Sequence, residues 1–294
     1  MSDLAPIVLF VYNRVNHTKR TIEALKRNEL ANQSEIFIYS DGEKNEYDME
    51  KVKLVRGYIN NIDGFKNITI IEREKNLGLA ESIIDGVTKI VNLYGNIIVL
   101  EDDLVTSPYF LLYMNKALTM YKNNSEIASI HGYIYPIEGL PETFFIKGAD
   151  CWGWATWRDS WSIFESDGKK LLNKLKNRNL QSEADFNNSY GYTKMLKNQI
   201  SGRNNSWAVR WYMSAFLEDM LSLYPGKSYV QNIGHDAEAT HCKFETDQFN
   251  IELNSQFKLS KINISEDVSS KLKIENYFKT IQKSFLHKIK SRFL

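Results

Sequence analysis

Short apolar runs alternate with helical patterns over the first hundred residues. Residues 7–12 are continuously apolar and β-prone, and the polar segment after them places Ile22 and Leu25 at helical spacing. A second run, 36–39, ends in Ser40-Asp41-Gly42, a third, 68–71, passes through Asn76-Leu77-Gly78 into a predicted helix, and a fourth covers 97–100. Continuous apolar strands separated by helices predict an α/β fold: a mostly parallel sheet covered by helices on both faces, as in nucleotide-binding domains. Ligands of such sheets sit at the carboxyl ends of the strands. Asn13 and Arg14, Asp41, residues 73–78 and Glu101-Asp102-Asp103 are therefore expected to share one edge. Neither G-x-G-x-x-G after the first strand nor G-x-x-x-x-G-K-[ST] occurs, so phosphate must be gripped in some other way.

Beyond residue 140 the pattern changes. All six tryptophans fall in two clusters, Trp152, Trp154, Trp157, Trp161 and then Trp207, Trp211, separated by a polar, partly helical stretch. Trp154, Trp157 and Trp161 stand at i, i+3, i+7, the spacing of a helical core stripe. Trp152 falls outside it and fits a core or a ligand surface equally well.

At 294 residues the chain can bury a substantial core, as one large α/β domain or two small ones. With 37 Lys+Arg against 36 Asp+Glu, no global charge draws it to nucleic acid, and partner electrostatics must be local. Cys151 and Cys242 are too few for a disulfide framework and lack metal-ligand spacing, which suits a reducing cytoplasm, although one bridge between them stays open. The N-terminus has no basic segment followed by an apolar run, and no stretch approaches a membrane span, so the expected location is cytoplasmic.

The strongest chemical signal is residues 96–103, NIIVLEDD, a buried-type strand ending in three carboxylates. Strand alternation points Glu101 and Asp103 one way and Asp102 the other until the strand ends. Mg²⁺ or Mn²⁺ takes one or two carboxylates and completes its shell with phosphate and water. Such an ion stabilises charge developing on a departing diphosphate. The alternative is an acidic strand end that favours the N-terminus of the helix starting near Ser107-Pro108.

This stretch, 98–116, resembles the acidic region of N-acetylglucosaminyltransferase I and related GT-A glycosyltransferases, bacterial surface-polysaccharide enzymes among them. The likeness extends in order from VLFVYNR at the start through Ser40-Asp41-Gly42 and Gly153-Trp154 to His241. It implies a metal-dependent, inverting transfer of a sugar from a nucleotide-diphosphate donor, UDP by analogy, to a hydroxyl of a glycan or lipid-linked glycan. It also implies Asp103 as metal ligand, Asp102 toward the ribose, Glu101 toward the transferred sugar, and Asp41 toward the nucleobase, with Asn13 and Arg14 holding base and phosphate. Asp41 fits an Asp-Gly turn as well, and Asn76 and Gly78 fit a tight strand-to-helix turn. Residues 1–250 then form the catalytic domain, 1–125 on the donor side and 126–250 on the acceptor side, with 251–294 as an extension.

On the acceptor side, residues 150–161 combine indoles with acids, a surface suited to sugar C–H faces and hydroxyls, with Trp152 and Trp154 as candidates. An inverting transfer needs a carboxylate as general base. The Trp-Gly-Trp at 152–154 is similar to that of β-1,4-galactosyltransferases but continues Ala-Thr-Trp-Arg rather than into consecutive acids. Asp159, by spacing, and Asp150 are the candidates. Arg210 between two tryptophans suits phosphate, an acceptor acid or indole stacking. His241, and less so His235, is a candidate second metal ligand.

From Ile274 onward Phe278, Ile281, Phe285, Ile289 and Phe293 share a helical face among lysines and Arg292, with no acid after Glu275. That basic amphipathic helix, 274–294, suits either an anionic membrane surface or docking on the domain. Two other functions fit parts of the sequence. A sugar-nucleotide nucleotidyltransferase would want a glycine-rich loop after the first strand, and residues 11–19 contain no glycine. A non-catalytic carbohydrate-binding protein would use the tryptophans without a metal.

Overall fold

The computed structural model describes residues 4–234 and 249–290. Among the described residues ten strands are formed: β1 (Ile7–Val11), β2 (Glu35–Ser40), β3 (Asn67–Glu72), β4 (Asn96–Glu101), β5 (Leu104–Thr106), β6 (Ile127–His131), β7 (Thr143–Lys147), β8 (Trp154–Trp157), β9 (Leu221–Pro225) and β10 (Val230–Asn232). The α-helices are α1 (Val15–Lys26), α2 (Glu46–Ile59), α3 (Leu79–Tyr94), α4 (Phe110–Tyr121), α5 (Arg158–Trp161), α6 (Gly168–Asn177), α7 (Gln181–Ala184), α8 (Tyr192–Ile200), α9 (Trp207–Leu217) and α10 (Val268–Lys290).

Eight strands form one sheet in the order β3-β2-β1-β4-β8-β6-β9-β7, and β5 pairs with β10 in a small ribbon. The four strands expected from the apolar runs are parallel to one another. β8 runs against both β4 and β6, and β7 against β9, so the sheet is mostly parallel with two reversed strands. Alternation along β1 divides the core. Ile7, Leu9 and Val11 pack with Ile22 and Leu25 of α1, Val55 and Ile59 of α2, and α4. Val8 and Phe10 face the other way, onto Ile83, Val87 and Val91 of α3 and onto Trp207 and Trp211 of α9. Burial on both faces explains why β1 and β4 read as unbroken apolar runs. Gly95 ends α3 in the left-handed region at φ 83°, its N–H returning to the Val91 carbonyl, and so turns the chain directly into β4.

The tryptophan stripe takes a form that its spacing did not predict. Residues 154–157 are a strand, because the sheet needs β8 to fill the slot between β4 and β6. Trp154 and Trp157 therefore fall on opposite faces. Trp154 is 1% exposed and lies within 5.8 Å, centroid to centroid, of Trp161, Trp207 and Trp211. Trp157 donates to the Leu118 carbonyl at 3.3 Å on the other side. Trp154 is thus a core residue and not an acceptor contact.

The C-terminal segment is packed against the domain. Phe249, Ile251, Phe257, Leu259, Ile262 and Ile264 cover the first core. Ile274 and Phe278 of α10 are buried in a third cluster with Leu171, Leu196, Tyr212 and Phe216. Glu275 accepts from Asn187 at 2.8 Å. This part of the amphipathic stripe faces protein rather than lipid, and among the described residues no helix is long and apolar enough to cross a membrane.

His131, at the end of β6, is fully buried against Tyr224 with neither ring nitrogen hydrogen-bonded. Burial lowers its pKa from 6.5 to about 3. A depressed histidine contributes stability that is present above the unfolded-state pKa and is lost as pH falls from 6.5 toward the folded value. Between pH 7 and pH 5 the loss should be about 2 kcal/mol. Urea unfolding should show that component in the wild type and lack it in His131→Phe; an equal pH slope in both would contradict the assignment.

Candidate active site

The carboxyl ends of β1, β2 and β4 open into a cleft of about 470 Å³. Asn13, Arg14, Asp41, Asn76, Gly78, Glu101, Asp102, Asp103 and Trp152 all line it. Lys44 and Ser82, which no sequence signal marked, line it too, with Tyr12 at the end of the first apolar run and Asn232 and Gly234 from the polar loop that leads to His241.

Its floor is acidic. Glu101 closes β4 opposite Phe10 of β1, and the chain turns at once through Asp102 and Asp103 into β5. That turn cancels the expected alternation: Asp102 and Asp103 both reach the Arg14 guanidinium, Asp103 Oδ2 at 2.9 Å. Arg14 is held there as the residue that opens α1, its carbonyl accepting from Thr18 at 2.9 Å. Thr21 of the same helix donates to the Asp102 carbonyl at 2.8 Å. Burial works against the charge on Arg14, but the two aspartates more than offset it and raise its pKa. Burial, together with the charges of Asp103 and Asp102, pushes the Glu101 carboxyl up. Burial also raises Asp102, against the pull of Arg14. Three carboxylates against one guanidinium leave two negative charges for a ligand to neutralise when all are ionised.

A divalent cation in the cleft would offset the mutual repulsion of these carboxyls and draw Glu101 and Asp102 back toward their ionised forms. Among the described residues no group of three or more His, Cys, Asp or Glu is arranged to hold a metal alone. Oxygen donors from one or two aspartates, completed by phosphate and water, match what Mg²⁺ or Mn²⁺ accepts. The segment 232–234 closes over this point. Ile233 N–H donates to the Asp103 carbonyl at 2.8 Å, and a Cβ on Gly234 would stand 2.2 Å from Asp103 Oδ2, so any larger residue there would have to push that carboxylate aside.

Asp41 builds a second wall. Its oxygens accept from the backbone N–H of Gly42 (3.0 Å), Leu77 (2.9 Å) and Gly78 (2.9 Å), and Asn76 Nδ2 donates back to the Gly42 carbonyl at 2.8 Å. The loops after β2 and β3 are so close that a Cβ at Gly42 would meet the Lys75 backbone at 2.6 Å. Gly78 adopts φ 76° at the start of α3. Removing this buried acceptor orphans backbone donors, so Asp41→Ala should cost about 2–3 kcal/mol in denaturant unfolding. A loss below about 0.5 kcal/mol, the level of an ordinary surface change, would contradict this role.

Asn13 is oriented by a residue that the sequence did not single out. Asp48, in the first turn of α2, accepts from Asn13 Nδ2 at 2.8 Å and from the Tyr12 hydroxyl at 3.0 Å. Its own N–H is capped by Asn45, an N-cap pattern visible in retrospect as Asn45-x-x-Asp48.

Other expected site residues lie elsewhere. Asp159 follows β8, whose Trp157 pairs with Asn96 at the start of β4, five residues or about 17 Å along the strand from Glu101. Its side chain is 95% exposed at the opposite edge of the sheet, so it is not placed to act as base. Arg210 is buried in α9 and donates to the Ser206 and Ser166 carbonyls and to Asn205, and it is not among the residues that line the cleft. Asp150 stands two residues before Trp152, half-buried. It accepts from Cys151 N–H at 2.9 Å and from the Tyr135 hydroxyl at 3.4 Å, and burial raises its pKa. His241 and His235, like Cys242, lie outside the described residues.

A helix-covered, mostly parallel sheet with an acidic ligand cleft on its carboxyl edge is the GT-A form of a glycosyltransferase. Residues 7–189 match the glycosyl transferase family 2 profile, and the chain belongs to that family. The narrower likeness to N-acetylglucosaminyltransferase I rests on the motifs alone. No curated protein matches the chain. Among solved structures it is similar to the mannosyltransferase PcManGT from Pyrobaculum calidifontis in complex with GDP-Man and Mn²⁺, at 11% identity and TM-score 0.33 over 46% of this chain and 39% of that one. It is also similar to S. aureus TarS 1-349, at 10% identity and TM-score 0.41 over 76% of this chain and 59% of that one. The chain spans less than two thirds of the length of either.

Proposed function

We propose that the cleft binds a nucleotide-diphosphate sugar, UDP-linked by analogy, and that the chain transfers the sugar with inversion to a hydroxyl of a glycan or lipid-linked glycan. The observation that carries this reading is the joint approach of Arg14, Asp102 and Asp103 at the carboxyl end of β4. A divalent cation, Mn²⁺ or Mg²⁺, held by Asp103 would stabilise charge on the departing diphosphate. Arg14 then has phosphate oxygens as partners as well as carboxylates. Asp102 takes the ribose and Glu101 the sugar. With the Asp41 carboxylate occupied by backbone N–H groups, the nucleobase rests on the two loops it holds together, beside Asn13, Asn76 and Gly78.

On the acceptor side Trp152 offers its indole to an apolar sugar face. Asp150 accepts the proton of the attacking hydroxyl; burial, by raising its pKa, makes it a better base. A thermal-shift panel of UDP-, GDP- and deoxythymidine-diphosphate sugars with Mn²⁺, Mg²⁺ or chelator tests the reading. One donor class should raise the unfolding midpoint in the presence of metal, by about 2.7 kcal/mol of stability at a hundred times its Kd. No shift with any donor would sink it.

A further inference from the structure

A second, larger concavity of about 750 Å³ lies between residues 134–142, residues 226–228 and the irregular segment 250–258. It belongs to the same edge of the sheet as the cleft. β6 and β9 run parallel to β4, by way of the reversed β8, so the chain leaving them at 132–142 and 226–228 emerges on the carboxyl side. Three strand spacings separate β4 from β9, about 14 Å.

An aromatic wall joins the two hollows. Trp152, which lines the cleft, packs on Tyr133 at 4.7 Å between centroids, and Tyr133 packs on Tyr135, which lines the groove, at 5.4 Å. Phe249 touches both ends, 5.6 Å from Trp152 and 6.3 Å from Tyr135. Tyr133 is buried beneath the wall, while Trp152, Phe249 and Tyr135 are half-buried, so the surface open to a ligand runs over those three rings. The groove itself is lined by both signs of charge. Glu138, Glu252 and Lys227 are exposed and Glu142 pairs with Lys258 at 3.5 Å, so three acids stand against two lysines, a mixed lining that disfavours an anionic ligand. Carboxylates, amides and hydroxyls beside aromatic rings are the groups that recognise sugar hydroxyls and C–H faces.

We propose that this groove is a second sugar-binding site, occupied by the distal residues of an extended, uncharged oligosaccharide acceptor whose reacting end lies at Trp152. The inference deepens the reading of the cleft as a sugar-transfer site and rests on it. A monosaccharide at Trp152 would leave the groove empty; a longer chain following the aromatic wall fills it.

The test uses the full chain on immobilised ladders of neutral linear oligosaccharides, from mono- to hexasaccharide, beside anionic phospholipid vesicles. Binding to at least one ladder should tighten by about tenfold or more with length. Glu138→Trp and Ser255→Trp, exposed positions on opposite walls, should abolish that gain while leaving unfolding temperature and nucleotide-sugar binding unchanged. Asp103→Ala should retain the length dependence, which separates the groove from the donor reading. Oligosaccharide binding without any nucleotide binding would leave the groove standing and remove the transferase reading. Length-independent binding, a gain that survives both tryptophan variants, binding to no ladder, or binding to vesicles alone would each overturn the proposal.

Discussion

Asp103→Ala is expected to lower sugar transfer by about 10²–10³-fold, the loss seen when one preorganised stabiliser of a developing charge is removed. Asp103 Oδ2 is one of two carboxylate contacts to Arg14, and Gly234 leaves that oxygen room. Alanine there removes the carboxylate on which a cation beside the diphosphate would depend. The fold should persist, since the Ile233 N–H bonds the Asp103 backbone carbonyl rather than its side chain. Transfer within threefold of wild type would contradict the role.

Asp150→Asn is expected to reduce turnover by about 10²–10⁴-fold, the usual worth of a positioned general base. Asparagine keeps an oxygen for Cys151 N–H and places an amide Nδ2, which can donate to the Tyr135 hydroxyl oxygen, where the second carboxylate oxygen stood, so the shape is preserved while proton acceptance is lost. Donor binding should be unchanged. Asp159→Asn, at the far edge of the sheet, should leave turnover at the wild-type level. The reverse pattern, with Asp159 sensitive and Asp150 not, would overturn the assignment.

The contrast between these two aspartates shows what the sequence makes legible and what it hides. Strands β1 and β4 are readable because burial on both faces forces unbroken apolar runs, β2 and the edge strand β3 because their runs are rich in β-branched and aromatic residues, and parallel pairing then sends Asn13, Arg14, Asp41 and the acidic triplet to one edge. The reversal of β8 has no such local signature. It brings Trp152 and Asp150 toward the cleft side and carries Asp159 away, although spacing alone preferred Asp159. The Trp154-x-x-Trp157 interval suits a helix stripe, yet on a strand the same interval puts the two rings on opposite faces. Convergence of Asp102 and Asp103 depends on a turn that begins where alternation stops, and Arg14 joins them across 88 residues of sequence. Asp48 and Gly234 act through contacts of one side chain, or of a missing one, and neither belongs to a pattern long enough to be noticed. The amphipathic tail was ambiguous for a plain reason: an apolar face seeks burial, and Ile274 and Phe278 find it in protein.

The central claim is that the carboxyl-edge cleft binds a nucleotide diphosphate together with a divalent cation. Titration calorimetry of UDP and GDP into the protein with Mn²⁺, and again with chelator, addresses it most directly. One nucleotide should bind one-to-one and weaken by about a hundredfold or more, near 3 kcal/mol, when the metal is removed. Equal affinity with and without metal, or no binding of either nucleotide, would contradict it.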